Sequence, residues 1–560
     1  MVTYAVDRPV VILGAGINGA ALARELALNC VPVLLVDAAD VAYGTTAYSS
    51  RLIHGGLRYL EYGEFSLVRE SLEERNRLLR LAPQYVRPLR LAIPVGRRSG
   101  GWLPAIRRFL GGRGSAAVER GLWLIRAGLW FYDLYARDSS LPRHAAQRIG
   151  AAGAVPVDPR RYRWLCSYWD AQMPYPERFV VALIEDARAL AGELGVEFEL
   201  YTYHRARLTG DHLELQRAGG PSDGEVVRSV QPAAVVNATG AWVDLTLAQL
   251  EVKSRPLIGG TKGSHFLTFH RPLREALGGQ GLYAEAEDGR PVFVLPLERG
   301  TLVGTTDLPF HGDPAETVAN EDELDYLVGV VRRLLPQIDL TRDDIHLHYA
   351  GVRPLPQTGG AVPASITRRH WLEEHAGGAV PVYSIIGGKL TTCRSLAEQS
   401  AATILQRLGR SPRATSRQRP IPGGEAYPVD EAALEAEQRR LGDRFRLSAE
   451  SVHAIWSLYG SRTESVLAEL KGPFDECLGG TPLPRSLARW MIRREWVSTL
   501  DDLIERRLML LYDPGLSQRT LHELASLLVE AGRLSSADAS RQVAATCRRL
   551  LDHFGKRVLE

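Results

Sequence analysis

The run VVILGAGINGAALARELALNCVPVLLVD at residues 10–37 permits few folds. Val10 to Leu13 is short, β-branched and wholly apolar, the pattern of a parallel strand covered on both faces. Gly14, Gly16 and Gly19 then supply G-x-G-x-x-G, Ala20 to Asn29 continues as a helix, and Val33 to Val36 forms a second strand ending in Asp37. The spacing has a physical reading: Gly14 makes the tight turn, Gly16 lets backbone approach a pyrophosphate, and Gly19 lets helix and strand pack closely. A helix N-terminus with free N–H groups faces the phosphates, and an acid about twenty residues on suits ribose hydroxyls. Residues 10–37 therefore predict a Rossmann-like dinucleotide-binding unit.

Two later turns extend that site. AAVVNATGAWVD (233–244) reads as another buried strand closed by the small residues Ala238, Thr239 and Gly240. VYSIIGGKLTTCRSLAEQSA (382–401) again runs strand, glycine pair and helix. A site assembled from the start, middle and end of a long region suits an extended flavin dinucleotide better than a compact NAD module. Between these turns, residues 264–310 hold SHFLTF, RPVFVLPLE and TLVGTTDLPF, β-rich runs separated by turn residues, which read as an antiparallel sheet on the substrate side.

A chain of 560 residues is too long for one core, so two or three domains are expected. The predicted fold class is α/β: a Rossmann-like nucleotide domain (about 1–90, 150–250 and 350–410) interleaved with an antiparallel-sheet substrate domain (about 90–150 and 250–350). A Pro, Ser and Arg-rich connector, 411–427, leads to an all-helical C-terminal domain over 428–560. A formal charge of +3 argues against a dedicated nucleic-acid binder. The five cysteines make no C-x-x-C pair and no metal-ligand spacing, which points to a reduced compartment. The N-terminus lacks a secretion signal's pattern, and no apolar run approaches the length of a membrane span.

The motifs GAGINGAALA, YSSRLIHGGLRYLEYGEFSLVRESLEER, VVNATGAWVD, KGSHFLT, VGTTDLPFHGDP, YAGVRPL and IIGGKLTTCRSLAE occur in that order. LYGSR and REWVSTLDDLIERR follow in the tail. Together they resemble the FAD-dependent, aerobic-type glycerol-3-phosphate dehydrogenases, within the glycine and D-amino-acid oxidase superfamily. The resemblance implies FAD as cofactor, oxidation of sn-glycerol 3-phosphate to dihydroxyacetone phosphate, and electron transfer to a membrane quinone. It implies peripheral attachment to the inner face of the cytoplasmic membrane, with a homodimer among the assemblies left open. It also implies cofactor contacts from Gly14, Gly16, Asn18, Gly19, Asp37, Thr45, Thr46, Ser49, Ser50, Leu52, His54, Gly56, Ala238, Thr239, Gly240, Gly388, Lys389 and Leu390. Arg51 and Cys393 depart from the family, where lysine and tyrosine are common.

Hydride transfer from a secondary alcohol needs a proton acceptor and a phosphate clamp beside the flavin. Guanidinium suits the clamp because it meets phosphate in a bidentate fork. By resemblance Arg58, Tyr59, Arg353, Lys389 and Thr391 surround the substrate. His265 and His54 compete for the proton, since imidazole titrates near neutrality. His265, with Arg353, is the favoured catalytic group, and His54 is expected to pack against the flavin. Transfer of electrons to O₂, an amine or amino-acid oxidase on the same scaffold, and a flavin-binding sensor without turnover remain as rivals. Residues 97–137 mix Arg with Trp, Leu and Ile, which fits either a helix lying in lipid headgroups or a buried hairpin.

Overall fold

The computed structural model describes residues 8–98, 121–136, 138, 140–220, 222–357, 369–470, 474 and 476–560, without the side chains of Arg58, Glu61 and Tyr62. A six-stranded sheet carries the nucleotide unit, in the order Trp371–His375, Val382–Ile386, Ala234–Asn237, Val10–Leu13, Val33–Asp37, Phe198–Thr202. All neighbours are parallel except the Trp371–His375 edge strand. The helix Ile17–Leu28 is buried along most of its length, because it is sandwiched between the helices Pro176–Leu194 and Cys393–Arg407. Its alanines make that close approach sterically possible. Even its Arg24 is buried, on Asp186 at 2.6 Å.

The second layer is a ten-stranded, mostly antiparallel sheet. Near one edge of it Thr261–Thr268 is flanked by Gly300–Gly304 and Ile345–Arg353. Trp164–Gln172, grouped by sequence with the nucleotide segments, lies in this sheet, because it pairs along the whole of Arg87–Val95. The short strand Leu52–Ile53 also joins it, antiparallel to Trp164–Gln172. A further three-stranded meander, His204–Thr209, His212–Arg217 and Val226–Val230, has no counterpart in the sequence reading.

The helical region follows as expected, but it is not a separate body. Ile455, Leu487, Leu503, Leu524 and Phe554 share one apolar cluster with Leu91, Leu347 and Tyr349 of the sheet layer and with Tyr48 of the loop before Leu52–Ile53. The connector is strapped down rather than free: Arg419 grips both oxygens of Asp186, Asn29 bonds the 413–414 backbone, and Ile421 is buried. Among the described residues no helix is long and apolar enough to cross a membrane. Residues 99–120, the centre of the expected amphipathic segment, lie outside the described residues.

Candidate active site

One cavity of about 760 Å³ runs from the first glycine turn to the face of the ten-stranded sheet. At one end Gly14 turns with φ +103°, and a Cβ there would stand 2.7 Å from the Ala238 carbonyl oxygen. Only glycine accepts both constraints. Gly19 does not line the cavity; its missing side chain lets the helix rest against the Gly14 carbonyl, 1.8 Å from where a Cβ would stand. Helix capping is indirect, for Gly16 offers no side chain and Thr46 Oγ1 accepts from the Ile17 amide at 3.1 Å.

Asp37 accepts from the amides of Ala15 (2.7 Å) and Ala39 (2.9 Å), and burial raises its carboxyl to about 6. Ala238, Thr239 and Gly240 continue the wall, with Thr239 bonded to Asn237. On the third turn Gly388 has φ +101°, and a Cβ there would meet Asn18 Nδ2 at 2.7 Å. Asn18 Oδ1 is buried with no partner among the described residues. Glycine backbone cleared of side chains, a helix N-terminus and an unsatisfied amide oxygen in one elongated cavity fit a flavin dinucleotide.

The segment Thr45 to Gly56 crosses from this end to the other. Thr45, Thr46, Ser49, Ser50, Leu52, His54 and Gly56 all line the cavity. The loop is held from outside: Thr45 Oγ1 donates to the Val352 carbonyl at 2.7 Å, and Tyr349 donates to the Ser49 carbonyl at 2.8 Å. Thr391 is buried with its hydroxyl accepting from the His54 amide at 3.1 Å. Leu390 and Lys389 line the wall beside it.

At the far end His265 is 2% exposed, with Nε2 2.8 Å from Ser50 Oγ and its ring stacked on Tyr349 at 5.1 Å. Burial, then the nearby Arg353 and Arg51 cations, push its imidazole down to about 3. The near-neutral titration expected of a histidine does not hold here, because a charged ring would be stranded away from water beside two guanidinium groups. Arg353 bonds Asp307 at 2.7 Å and Thr305 Oγ1 at 2.8 Å, which fixes the guanidinium at the cavity wall. Lys389 lies over the Tyr59 ring at 4.3 Å and donates to Ser71 at 3.1 Å. The side chain of Arg58 lies outside the described part.

Several groups escaped the sequence reading. Tyr168, Tyr283 and Phe293 add an aromatic wall, with Tyr283 and Phe293 stacked at 4.8 Å. Buried Glu323 accepts from Ser264 and Thr306 at 2.8 Å and pairs with Lys262 at 2.6 Å, fixing the strand that carries His265 and the Thr306 turn beside it. Thr305 and Asp307 stood in the motif VGTTDLPFHGDP, so a signal existed; the aromatic wall had none beyond β-rich composition. Cys393 is buried outside the cavity lining.

The model of the family described as FAD dependent oxidoreductase matches residues 9–394. That of the C-terminal domain of alpha-glycerophosphate oxidase matches residues 414–539. The chain is 35% identical to a glycerol-3-phosphate dehydrogenase of Synechocystis sp., covering 89% of this chain and 88% of that protein. It is 30% identical to a D-erythritol 1-phosphate dehydrogenase of Brucella abortus, over 89% and 93% of the two chains. In fold it is similar to the crystal structure of a glycerol-3-phosphate dehydrogenase from Bacillus halodurans complexed with FAD. That match has a TM-score of 0.70 at 21% identity and covers 97% of this chain and 94% of the other.

Proposed function

This chain belongs to the FAD dependent oxidoreductases, and on that premise we propose that it oxidises glycerol 3-phosphate to dihydroxyacetone phosphate. One observation carries the reading: Arg353, Lys389 and His265, far apart in sequence, converge on the same cavity as the glycine turns. A small phosphorylated alcohol needs cations for the phosphate and a neutral hydrogen-bonding group for the reacting hydroxyl. Arg353, oriented by Asp307 and Thr305, and Lys389, resting on Tyr59, supply the positive side.

FAD, when bound, supplies the two-electron acceptor for the carbinol hydrogen. His265 is neutral at physiological pH, so its ring accepts a hydrogen bond or the proton released by the substrate hydroxyl. Ser50, 2.8 Å from Nε2, sets the orientation of that ring. Arg353 and Arg51 then oppose retention of the proton on His265, which favours its onward release. His54, with its amide on Thr391, walls the crossing between the two ends.

A membrane quinone is the proposed electron acceptor, reached from a protein resting on the cytoplasmic membrane. Support comes from the helix Leu122–Ala136, where Trp123, Trp130 and Leu134 are about half exposed on the face that also carries Arg126. Aromatic and aliphatic side chains beside arginine suit the headgroup region. Co-sedimentation with anionic vesicles at low salt, lost in Trp123→Ser/Trp130→Ser, checks this contact. Peroxide release exceeding quinone reduction would instead favour the oxidase reading.

The deciding experiment adds glycerol 3-phosphate to the anaerobic holoprotein and follows flavin absorbance. Bleaching with glycerol 3-phosphate, but with neither erythritol phosphate nor a 2-amino acid, supports the assignment. Equal bleaching by erythritol phosphate shifts the substrate to longer phosphorylated polyols, and no bleaching by any phosphorylated polyol overturns the reading.

A further inference from the structure

Arg51, between the cavity-lining Ser50 and Leu52, has a guanidinium that never reaches solvent. It bonds both oxygens of Glu177, at 2.7 and 3.2 Å, and the Ala47 carbonyl at 3.1 Å. It also reaches the Pro174 carbonyl and the Tyr512 hydroxyl. Five acceptors around one buried cation are more than an ion pair requires. The backbone is in the left-handed region at Arg51, φ +58°, which residues other than glycine adopt uncommonly. That turn directs Ser50 toward His265 and sends Leu52 into the strand paired with Gln172.

Tyr512 comes from the helical region, in the turn Leu510–Tyr512, and its ring packs against the Arg51 guanidinium at 4.5 Å. Tyr349, 6.0 Å from the same guanidinium, holds the Ser49 carbonyl and stacks on His265. A continuous set of contacts therefore runs from the helical region through Arg51 to Ser50 and His265. We propose that Arg51 and Tyr512 are positioning residues for the oxidation, so that the helical C-terminal region completes the active site by locking the Ser49–Arg51 turn. This rests on the reading of His265 as the group that meets the substrate hydroxyl.

The test is anaerobic stopped-flow flavin reduction by glycerol 3-phosphate in Tyr512→Phe, Ser50→Ala and their double variant, each as holoprotein. Tyr512→Phe keeps the ring under the guanidinium and removes only the hydroxyl. It should retain FAD and half-saturate at the parental substrate concentration, while the maximal reduction rate falls about tenfold, the scale of a small misplacement at a reacting centre. Because the hydroxyl acts through Ser50, the double variant should be no slower than Ser50→Ala alone. A parental rate in Tyr512→Phe, or rate losses that multiply in the double variant, overturns the proposal. Should Tyr512→Phe fail to fold, Arg51→Lys, which keeps the charge and loses the fork, enters the same cycle with the same outcomes. Absence of bleaching in the parent refutes the activity, whereas a bleaching parent with an indifferent Tyr512→Phe refutes this inference alone.

Discussion

Asp40 offers a sharp test of how tightly the helical region is joined to the nucleotide unit. Its carboxylate is completely buried just beyond the strand Val33–Asp37. It accepts from both Arg507 Nη atoms at 2.8 Å and from Arg506 Nε at 2.7 Å. In Asp40→Asn, Arg506 keeps Asp502 and Glu505, but Arg507 is left with the Glu495 carbonyl as its remaining strong acceptor. One orphaned guanidinium places the loss at the lower end of the range for breaking a buried pair, about 3 kcal/mol. Calorimetry converts this into a temperature. If the 560 residues unfold together, the melting point falls by about 2 to 3 °C; if residues 428–560 melt alone, it falls by about 10 °C. The acid dependence has a definite sign. The two arginines hold the Asp40 carboxyl below its usual range, so its stabilisation is present above the unfolded carboxylate value and disappears as pH drops through the folded one. The parental and Asp40→Asn melting points should therefore converge in acid. An unchanged melting point at neutral pH would refute the clamp.

Three other perturbations probe the site. Gly14→Ala forces a Cβ to 2.7 Å from the Ala238 carbonyl at φ +103°, and should yield protein without FAD, seen as a lost flavin-to-protein absorbance ratio, with about 2 to 4 kcal/mol less stability. Thr391→Val removes the hydroxyl that accepts from the His54 amide and should cost about 1 to 3 kcal/mol, with faster FAD loss on dilution. His265, lowered to about 3, should give no titration in flavin reduction between about pH 5 and 8. Its stabilising contribution is full above the unfolded histidine value and is lost as pH falls from there toward the folded value, so the parent should lose stability relative to His265→Gln in acid.

What the sequence by itself determined was local. Strand, glycine turn, helix and second strand at residues 10–37 are dictated by steric rules that act within a few residues, and the same holds for the turns at 237–240 and 387–392. Those rules carried the FAD-type site, and the motifs carried the family. Tertiary structure decided everything that depends on distance through space. Trp164–Gln172 went to the substrate-side sheet because its hydrogen-bonding partner, Arg87–Val95, lies there, a choice its own residues do not encode. Arg51 stands out in sequence only as a departure from the family's common lysine, and becomes a buried junction where Glu177 and Tyr512, 126 and 461 residues away, converge on it. His265 likewise has an ordinary imidazole in sequence. Burial and two neighbouring guanidinium groups, brought there by the fold, remove its charge. Steric propensity is a property of the local chain, whereas desolvation and charge proximity belong only to the assembled molecule.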